Sequence, residues 1–129
     1  MPLTARAPRR SIDEVLEEAR KALPPRPTAC DLTGLRARGA LIVDIRPAEQ
    51  RHRDGELEGA MVIDRNVLEW RLDPSSPHRI PEATGYDREI VVVCDEGYAS
   101  SIAAASLQAL GLWRTTDLDG GMQGVLRLR

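Results

Sequence analysis

Three short runs of apolar residues set the pattern of this chain: Ala40–Ile45, Ala60–Ile63 and Ile90–Val93. Each is too short for a helix. Each is apolar almost throughout, without polar alternation, which suits a strand buried on both faces. Segments with helical spacing lie between them. Buried strands alternating with helices predict an α/β fold built on a mostly parallel sheet flanked by helices. Ligands of such sheets bind beyond the carboxyl ends of the strands. The residues that fall there are Asp44 and Arg46 after the first run and Cys94 after the third.

Helix signals fill the intervals. Ser11 and Glu14 form a capping-box pattern, and Ile12, Val15, Leu16 and Ala19 repeat at helical spacing, so a helix is expected over Ile12–Ala22. Leu23–Pro27 ends it. A second short helix is expected over Thr28–Arg38, with Gly39 as its stop. Pro47–Arg53 and Arg65–Arg71 each fit one or two turns, and Asp73–Tyr86, with three prolines, reads as a surface loop. Tyr98–Leu110 is the next substantial helix, Thr115–Leu118 a short strand, and Met122–Leu128 a terminal helix. Met1–Arg10, basic and Pro-containing, reads as a frayed tail.

With 129 residues the chain holds one domain and one core. Its 42% apolar and 29% charged content is that of an ordinary soluble globular protein. A net charge of −2 excludes strong long-range attraction to nucleic acid or to an acidic membrane surface. No apolar run approaches the roughly 20 residues of a membrane span, and no apolar stretch follows the N-terminal arginines as a signal peptide requires. The two cysteines, Cys30 and Cys94, lack metal-ligand spacing and make a poor disulfide framework, so a cytoplasmic location is expected. Cys30 is expected on a helix or in the core.

The segment Ile90–Ser101 carries the chemistry. An apolar strand ends at Cys94, a loop through Asp95, Glu96, Gly97, Tyr98 and Ala99 follows, and beyond Ser100 comes the Ala-rich segment Ile102–Leu110. A thiol at that point faces the loop N–H groups and the positive end of the helix dipole, both of which favour thiolate over thiol. Ser100 either bonds the sulfur or caps the helix, and capping is the simpler role. Tyr98 fits the pocket rim or the helix start. Asp44 and Arg46 read as braces, with Asp44 accepting loop N–H groups and Arg46 paired to Glu49. Arg65 and Arg71 are candidate anion receptors if either reaches the mouth. His52 and His78 lie in polar loops, and their spacing suggests no histidine base.

Strand–Cys-x-x-Gly-x-x-Ser–helix resembles the active-site loop of the rhodanese (sulfurtransferase) family. Leu41–Glu49 resembles the family's first-strand signature, Asp-x-Arg followed by an acid. Asp54–Ala60 resembles its Gly-His-Ile-Pro-Gly-Ala loop, with Glu56 for His and Glu58 for Pro. Leu110–Leu112 and Asp117–Met122 resemble its Leu-Gly-aromatic and Leu-x-Gly-Gly segments. The resemblance runs from about Thr28 to Gln123. It implies a single-domain, three-layer rhodanese-like fold over 28–129, preceded by a tail and helical extension over 1–27.

The activity so implied is sulfur transfer. Cys94 takes a sulfane sulfur from a small donor, holds it as a persulfide, and passes it to a nucleophilic acceptor; either partner can be protein-bound. No metal or organic cofactor is needed. Asp95, Glu96, Gly97, Tyr98, Ala99 and Ser100 would form the binding loop, with Asp44, Arg46, Arg65 and Arg71 in support. The loop departs from the family pattern, because many members carry basic residues after the cysteine and an Arg before the Ser. The acids here disfavour a dianionic donor such as thiosulfate. Related cysteine phosphatases use Cys-x5-Arg, and that Arg position is Ser100, which disfavours phosphate chemistry. Two rival readings use the same residues. One is a non-catalytic binding or regulatory module, in keeping with the acidic loop. The other is a thiol redox sensor through Cys94, with Cys30 as its partner.

Overall fold

The computed structural model describes residues 6–129. Four strands, β1 (Leu41–Asp44), β2 (Met61–Val62), β3 (Ile90–Val93) and β4 (Thr115–Asp117), form one sheet. Their order is β2-β1-β3-β4, and every pair is parallel. Six α-helices surround it: α1 (Ile12–Lys21), α2 (Leu32–Ala37), α3 (Ala48–Asp54), α4 (Leu68–Leu72), α5 (Ala99–Ala109) and α6 (Gly121–Arg127). This is the expected α/β architecture. Of the tail expected over Met1–Arg10, residues 1–5 lie outside the described residues.

The pleat sorts the strand side chains into two cores, since successive residues point to opposite faces. Leu41 and Val43 of β1 and Ile90 and Val92 of β3 face Leu68, Leu72, Ala103, Ala104 and Leu107 of α4 and α5. Ile42, Val91 and Val93 face Leu32 and Leu35 of α2 and Met122 of α6. The sheet is therefore the middle of three layers, and β1 and β3 are buried throughout. That explains why their sequences show no polar alternation. Each fully buried Leu, Ile or Val contributes about 1.5–3 kcal/mol by leaving water.

Two expectations need correction. The run Ala60–Ile63 does not make a buried strand: β2 is only two residues long, Met61 is half-buried and Val62 is 46% exposed. It lies at the sheet edge, pairs with β1 alone, and sends only the following Ile63 into the core. The segment Thr28–Arg38 is not one helix. The Asp31 carboxylate accepts the Thr28 N–H at 2.8 Å, which tightens Ala29–Asp31 into a 3-10 turn ahead of α2. Cys30 sits on that turn and is exposed, not a core residue.

The N-terminal extension is integrated with the sheet. Ser11 and Glu14 close the capping box of α1 reciprocally, at 3.0 and 3.2 Å. The helix packs along α5 with Val15, Leu16 and Ala19 half-buried. The proline-rich segment after it runs beside the outer strand β4. There the Thr116 hydroxyl donates to the Pro24 carbonyl at 3.1 Å, and the Asp119 N–H donates to the Pro27 carbonyl at 2.8 Å. The segment is thereby fastened alongside the outer strand of the sheet. Among the described residues, no helix is long and apolar enough to cross a membrane.

Candidate active site

Cys94 follows the last residue of β3, and α5 begins five residues later. Between them the chain folds tightly around the sulfur. The Gly97 N–H donates to Sγ at 3.2 Å and the Ser100 N–H donates at 3.3 Å. The second of these belongs to the first turn of α5, whose unpaired amides carry the positive end of the helix dipole. Cys94 is 7% exposed and forms part of the wall of an open cavity of about 430 Å³. Ile45, Arg46, Pro47, Gln50, Arg65, Asp95, Glu96, Tyr98 and Ala99 complete that wall.

Two glycines make this closeness possible. Gly97 has φ of +90°, and a Cβ there would lie 2.8 Å from the Gly120 nitrogen. Gly121 has φ of +57°, and a Cβ there would lie 2.6 Å from the Cys94 carbonyl oxygen. In both cases the obstacle is backbone, which cannot swing aside. The Gly-Gly pair thus lets the start of α6 dock under the loop, where the Met122 N–H donates to the Cys94 carbonyl and the Gln123 N–H to that of Asp95, at 2.9 and 3.0 Å.

The residues expected at the site divide by placement. Asp44 and Arg46 form a fully buried ion pair at 2.9 Å. Arg46 reaches on to the Gly55 carbonyl at 2.9 Å, so it joins the end of β1 to the loop after α3. Its carboxylate partner is Asp44, not Glu49: the Asp44 side chain already accepts the Arg46 N–H at 3.0 Å, and this local turn brings the guanidinium back over it. Arg65 lines the cavity and pairs with Glu69 at 2.9 Å. Burial works to raise the Glu69 carboxyl, but the Ser106 hydroxyl, a backbone N–H and Arg65 outweigh it and hold it below the ordinary range. Arg71 does not reach the mouth. It donates to the His78 carbonyl at 2.7 Å and borders a different hollow beside β2.

The two loop acids behave differently. Asp95 is engaged by Gln123 at 2.9 Å and by Arg53 at 3.2 Å. Glu96 is exposed at the cavity rim. Tyr98 occupies the N-cap position of α5 and lines the rim, with the Arg20 guanidinium 5.7 Å from its ring centre. Ser100 does not cap the helix. It lies fully buried in the first turn, with Oγ 3.1 Å from Sγ.

Beneath the loop lies a polar network that sequence reasoning missed. Asp117, at the end of β4, is fully buried and accepts from the Ser100 hydroxyl at 2.7 Å and the Ser101 hydroxyl at 2.8 Å. Arg26 closes on the same carboxylate with Nε at 2.7 Å and Nη2 at 3.1 Å. A carboxylate only accepts, so the single Ser100 hydroxyl proton points to Asp117 and its oxygen can take the Cys94 S–H. Once the thiol ionises, that same proton can turn to the sulfur, because Arg26 and Ser101 still satisfy Asp117. The network thus keeps a donor in reserve for an anion at Sγ. The one signal in the sequence is a strand reading Thr-Thr-Asp, polar in a sheet whose strands are buried.

Comparison with known proteins identifies relatives of this fold. Residues 28–128 match the rhodanese-like domain. No curated protein matches the chain. A solved protein of unknown function from Rhodopseudomonas palustris CGA009, described as a possible tyrosine phosphatase, is 31% identical with a TM-score of 0.81. That match covers 99% of this chain and 96% of the other, so it includes α1. A rhodanese homolog from the extremely thermophilic bacterium Thermus thermophilus is 27% identical with a TM-score of 0.56, over 78% of this chain and 99% of its own. A rhodanese-like domain from Anabaena sp. shares the fold at 23% identity and a TM-score of 0.64, over 82% of this chain and 76% of that one. With that match spanning residues 28–128, most of its length, the chain belongs to the rhodanese-like domain family.

Proposed function

We propose that the protein is a single-domain sulfurtransferase that carries a sulfane sulfur as a persulfide on Cys94. The observation that carries this reading is the sulfur itself, which accepts two main-chain N–H groups at 3.2 and 3.3 Å while facing an open cavity. In the first step the Cys94 thiolate attacks the sulfane sulfur of the donor. A Cys94–sulfur bond forms, the donor's sulfur–sulfur bond breaks, and the donor leaves with the electron pair. In the second step an acceptor nucleophile attacks the outer sulfur and Cys94 departs as thiolate. Both charged states gain from preorganised amides around a sulfur that is itself largely buried. The N–H groups of Glu96, Tyr98 and Ala99 have no acceptor among the described residues and are available as further donors for the outer sulfur.

The cavity wall favours a donor of low charge. Its cations, Arg46 and Arg65, are each paired to a carboxylate, while Glu96 stands exposed at the rim. Arg46 keeps one buried Nη1 without a partner, but the charge of each wall guanidinium is already balanced by Asp44 or Glu69, so thiosulfate would be a poor donor. A polysulfide-like or protein-bound persulfide donor suits this wall better. Phosphate transfer, suggested by the description of the Rhodopseudomonas neighbour, lacks support in this loop. The sixth residue after the cysteine is Ser100, whose hydroxyl is committed to Asp117 and Sγ, where a phosphatase loop needs a forked guanidinium.

The test is intact mass after incubation with polysulfide, followed by cyanolysis. The wild-type protein should gain one sulfur atom that cyanide removes. Cys94→Ser should fold normally and gain none. Absence of added sulfur with any donor would instead favour a binding module, which would use the exposed Tyr98 and Glu96 at the rim. Cys30 borders a separate cavity of about 640 Å³ and is no part of the proposed step.

A further inference from the structure

The matched domain begins at residue 28, yet two arginines ahead of it reach the active-site loop. Arg20, near the end of α1, donates from Nη2 to the Gly97 carbonyl at 2.8 Å and from Nε to the Ser101 hydroxyl at 3.0 Å. Arg26, in the proline-rich segment, donates from Nη2 to the same Gly97 carbonyl at 2.9 Å while gripping Asp117. Two guanidinium groups thus converge on one peptide oxygen. That oxygen sits between the two amides that face Sγ, those of Gly97 and Ser100. The loop itself contributes no cation from Asp95 to Ser101.

We propose that Arg20 and Arg26 are positioning residues for Cys94: they fix the Gly97–Tyr98 peptide so that the flanking amides point at the sulfur, and they supply the positive charge that the loop lacks. The inference rests on the reading of Cys94 as the reactive thiol. It makes the N-terminal extension a working part of the site. The two residues differ in how they can be removed. Arg20 touches no carboxylate among the described residues, so its loss strands no buried charge. Arg26 is the counter-ion of a fully buried Asp117, and its loss leaves that charge uncompensated. Burial acts against the Arg26 charge, and the carboxylates of Asp117 and Asp119 together with the Cys94 sulfur outweigh it, raising its pKa above the ordinary value.

The experiment measures iodoacetamide alkylation of Cys94 across pH. It uses the full chain in a Cys30→Ser background, because Cys30 is an exposed free thiol that would also react. Circular dichroism checks folding. The variants are Arg20→Gln, Arg20→Lys and Arg26→Gln, with Arg10→Gln as the control for net charge; Arg10 pairs with Glu18, away from the loop. The midpoint of the alkylation profile should move up in Arg20→Gln and further in Arg26→Gln, by about one unit in the latter. At a fixed pH below the midpoint, one unit is about a tenfold slower reaction. Arg20→Lys should recover part of the shift, and Arg10→Gln should show none. An unmoved midpoint in folded Arg20→Gln overturns the proposal, and that variant decides alone if Arg26→Gln does not fold. Alkylation needs no sulfur donor. Failure of the sulfur-transfer reading would therefore show as wild-type protein that takes up no sulfur, while failure of this inference would show as an unmoved midpoint.

Discussion

Asp117→Asn tests the polar network with a change of one atom. The wild-type carboxylate accepts four hydrogen bonds, two from Arg26 and one each from Ser100 and Ser101. An amide offers one oxygen and one donor nitrogen. If the nitrogen replaces Oδ1 it faces Arg26 Nε, which stood at 2.7 Å from an acceptor. If it replaces Oδ2 it faces Arg26 Nη2 and both hydroxyls, which crowd around one point. Either orientation sets donor against donor and leaves Arg26, only 16% exposed, without its buried counter-ion. Breaking a buried pair in this way costs about 3–5 kcal/mol. Set against a total of roughly 5–15 kcal/mol, that is a large fraction of the fold's stability. At about 3–5 °C per kcal/mol for a chain of this size, the melting temperature should fall by roughly 10–20 °C.

The assay is a urea or thermal melt of Asp117→Asn, Arg26→Gln and the double variant. Each single change leaves a charge behind, whereas the double removes both. The double should therefore lose clearly less than the sum of the singles, with a coupling of at least about 1 kcal/mol. Strictly additive losses, or an Asp117→Asn loss below about 1 kcal/mol, would refute the account of Asp117 as the buried anchor of the loop.

Two further outcomes are expected. Asp95→Lys/Glu96→Lys should turn over thiosulfate and cyanide faster than the wild type, because it places cations at the cavity rim; equal rates in a cyanolysis assay would remove the electrostatic explanation for a low-charge donor. Glu89 is held below its ordinary range chiefly by its bonds from Arg38, with burial opposing and Arg114 adding to the shift, and Glu69 is also held low. A depressed carboxyl stabilises the fold above its unfolded pKa, about 4.3, and that contribution fades as pH falls through the lower folded value. Melting temperature followed downward from pH 5 should therefore drop less steeply in Glu69→Gln/Glu89→Gln than in the wild type. The effect should be small at Glu89, whose partner Arg38 is 60% exposed and screened by salt.

What the sequence made legible was local. The run Ile90–Val93, the glycine at 97 and the Ala-rich segment after it sit within one stretch of chain, so strand, loop and helix could be read from neighbours alone. The capping box at Ser11 and Glu14 is equally short in range. The misreadings fall where a residue's fate depends on what lies across the molecule. Val62 is as apolar as Val91, but one strand has a single neighbour and the other has two. Cys30, expected on a helix or in the core, sits exposed on the 3-10 turn that the Asp31 carboxylate bond tightens. Arg71 carries the same charge as Arg65, yet only one of them lines the cavity of Cys94.

The least legible feature was the one that most distinguishes the site. Arg20 and Arg26 reach Gly97 and Asp117 across 71 to 91 positions of sequence, a range at which periodicity carries no information. Polarity in the wrong place carries some. A parallel strand buried in the middle layer has no water to satisfy it, so the buried Asp117 on β4 requires partners. Its donors come from the helix after Cys94 and from a cation outside the matched domain. The serines at 100 and 101 and the arginine at 26 are those donors. The buried acid therefore ties the extension to the loop: a chain that kept Asp117 and lost Arg26 would hold an uncompensated negative charge two hydrogen bonds from the sulfur, where it opposes the thiolate that the amides favour.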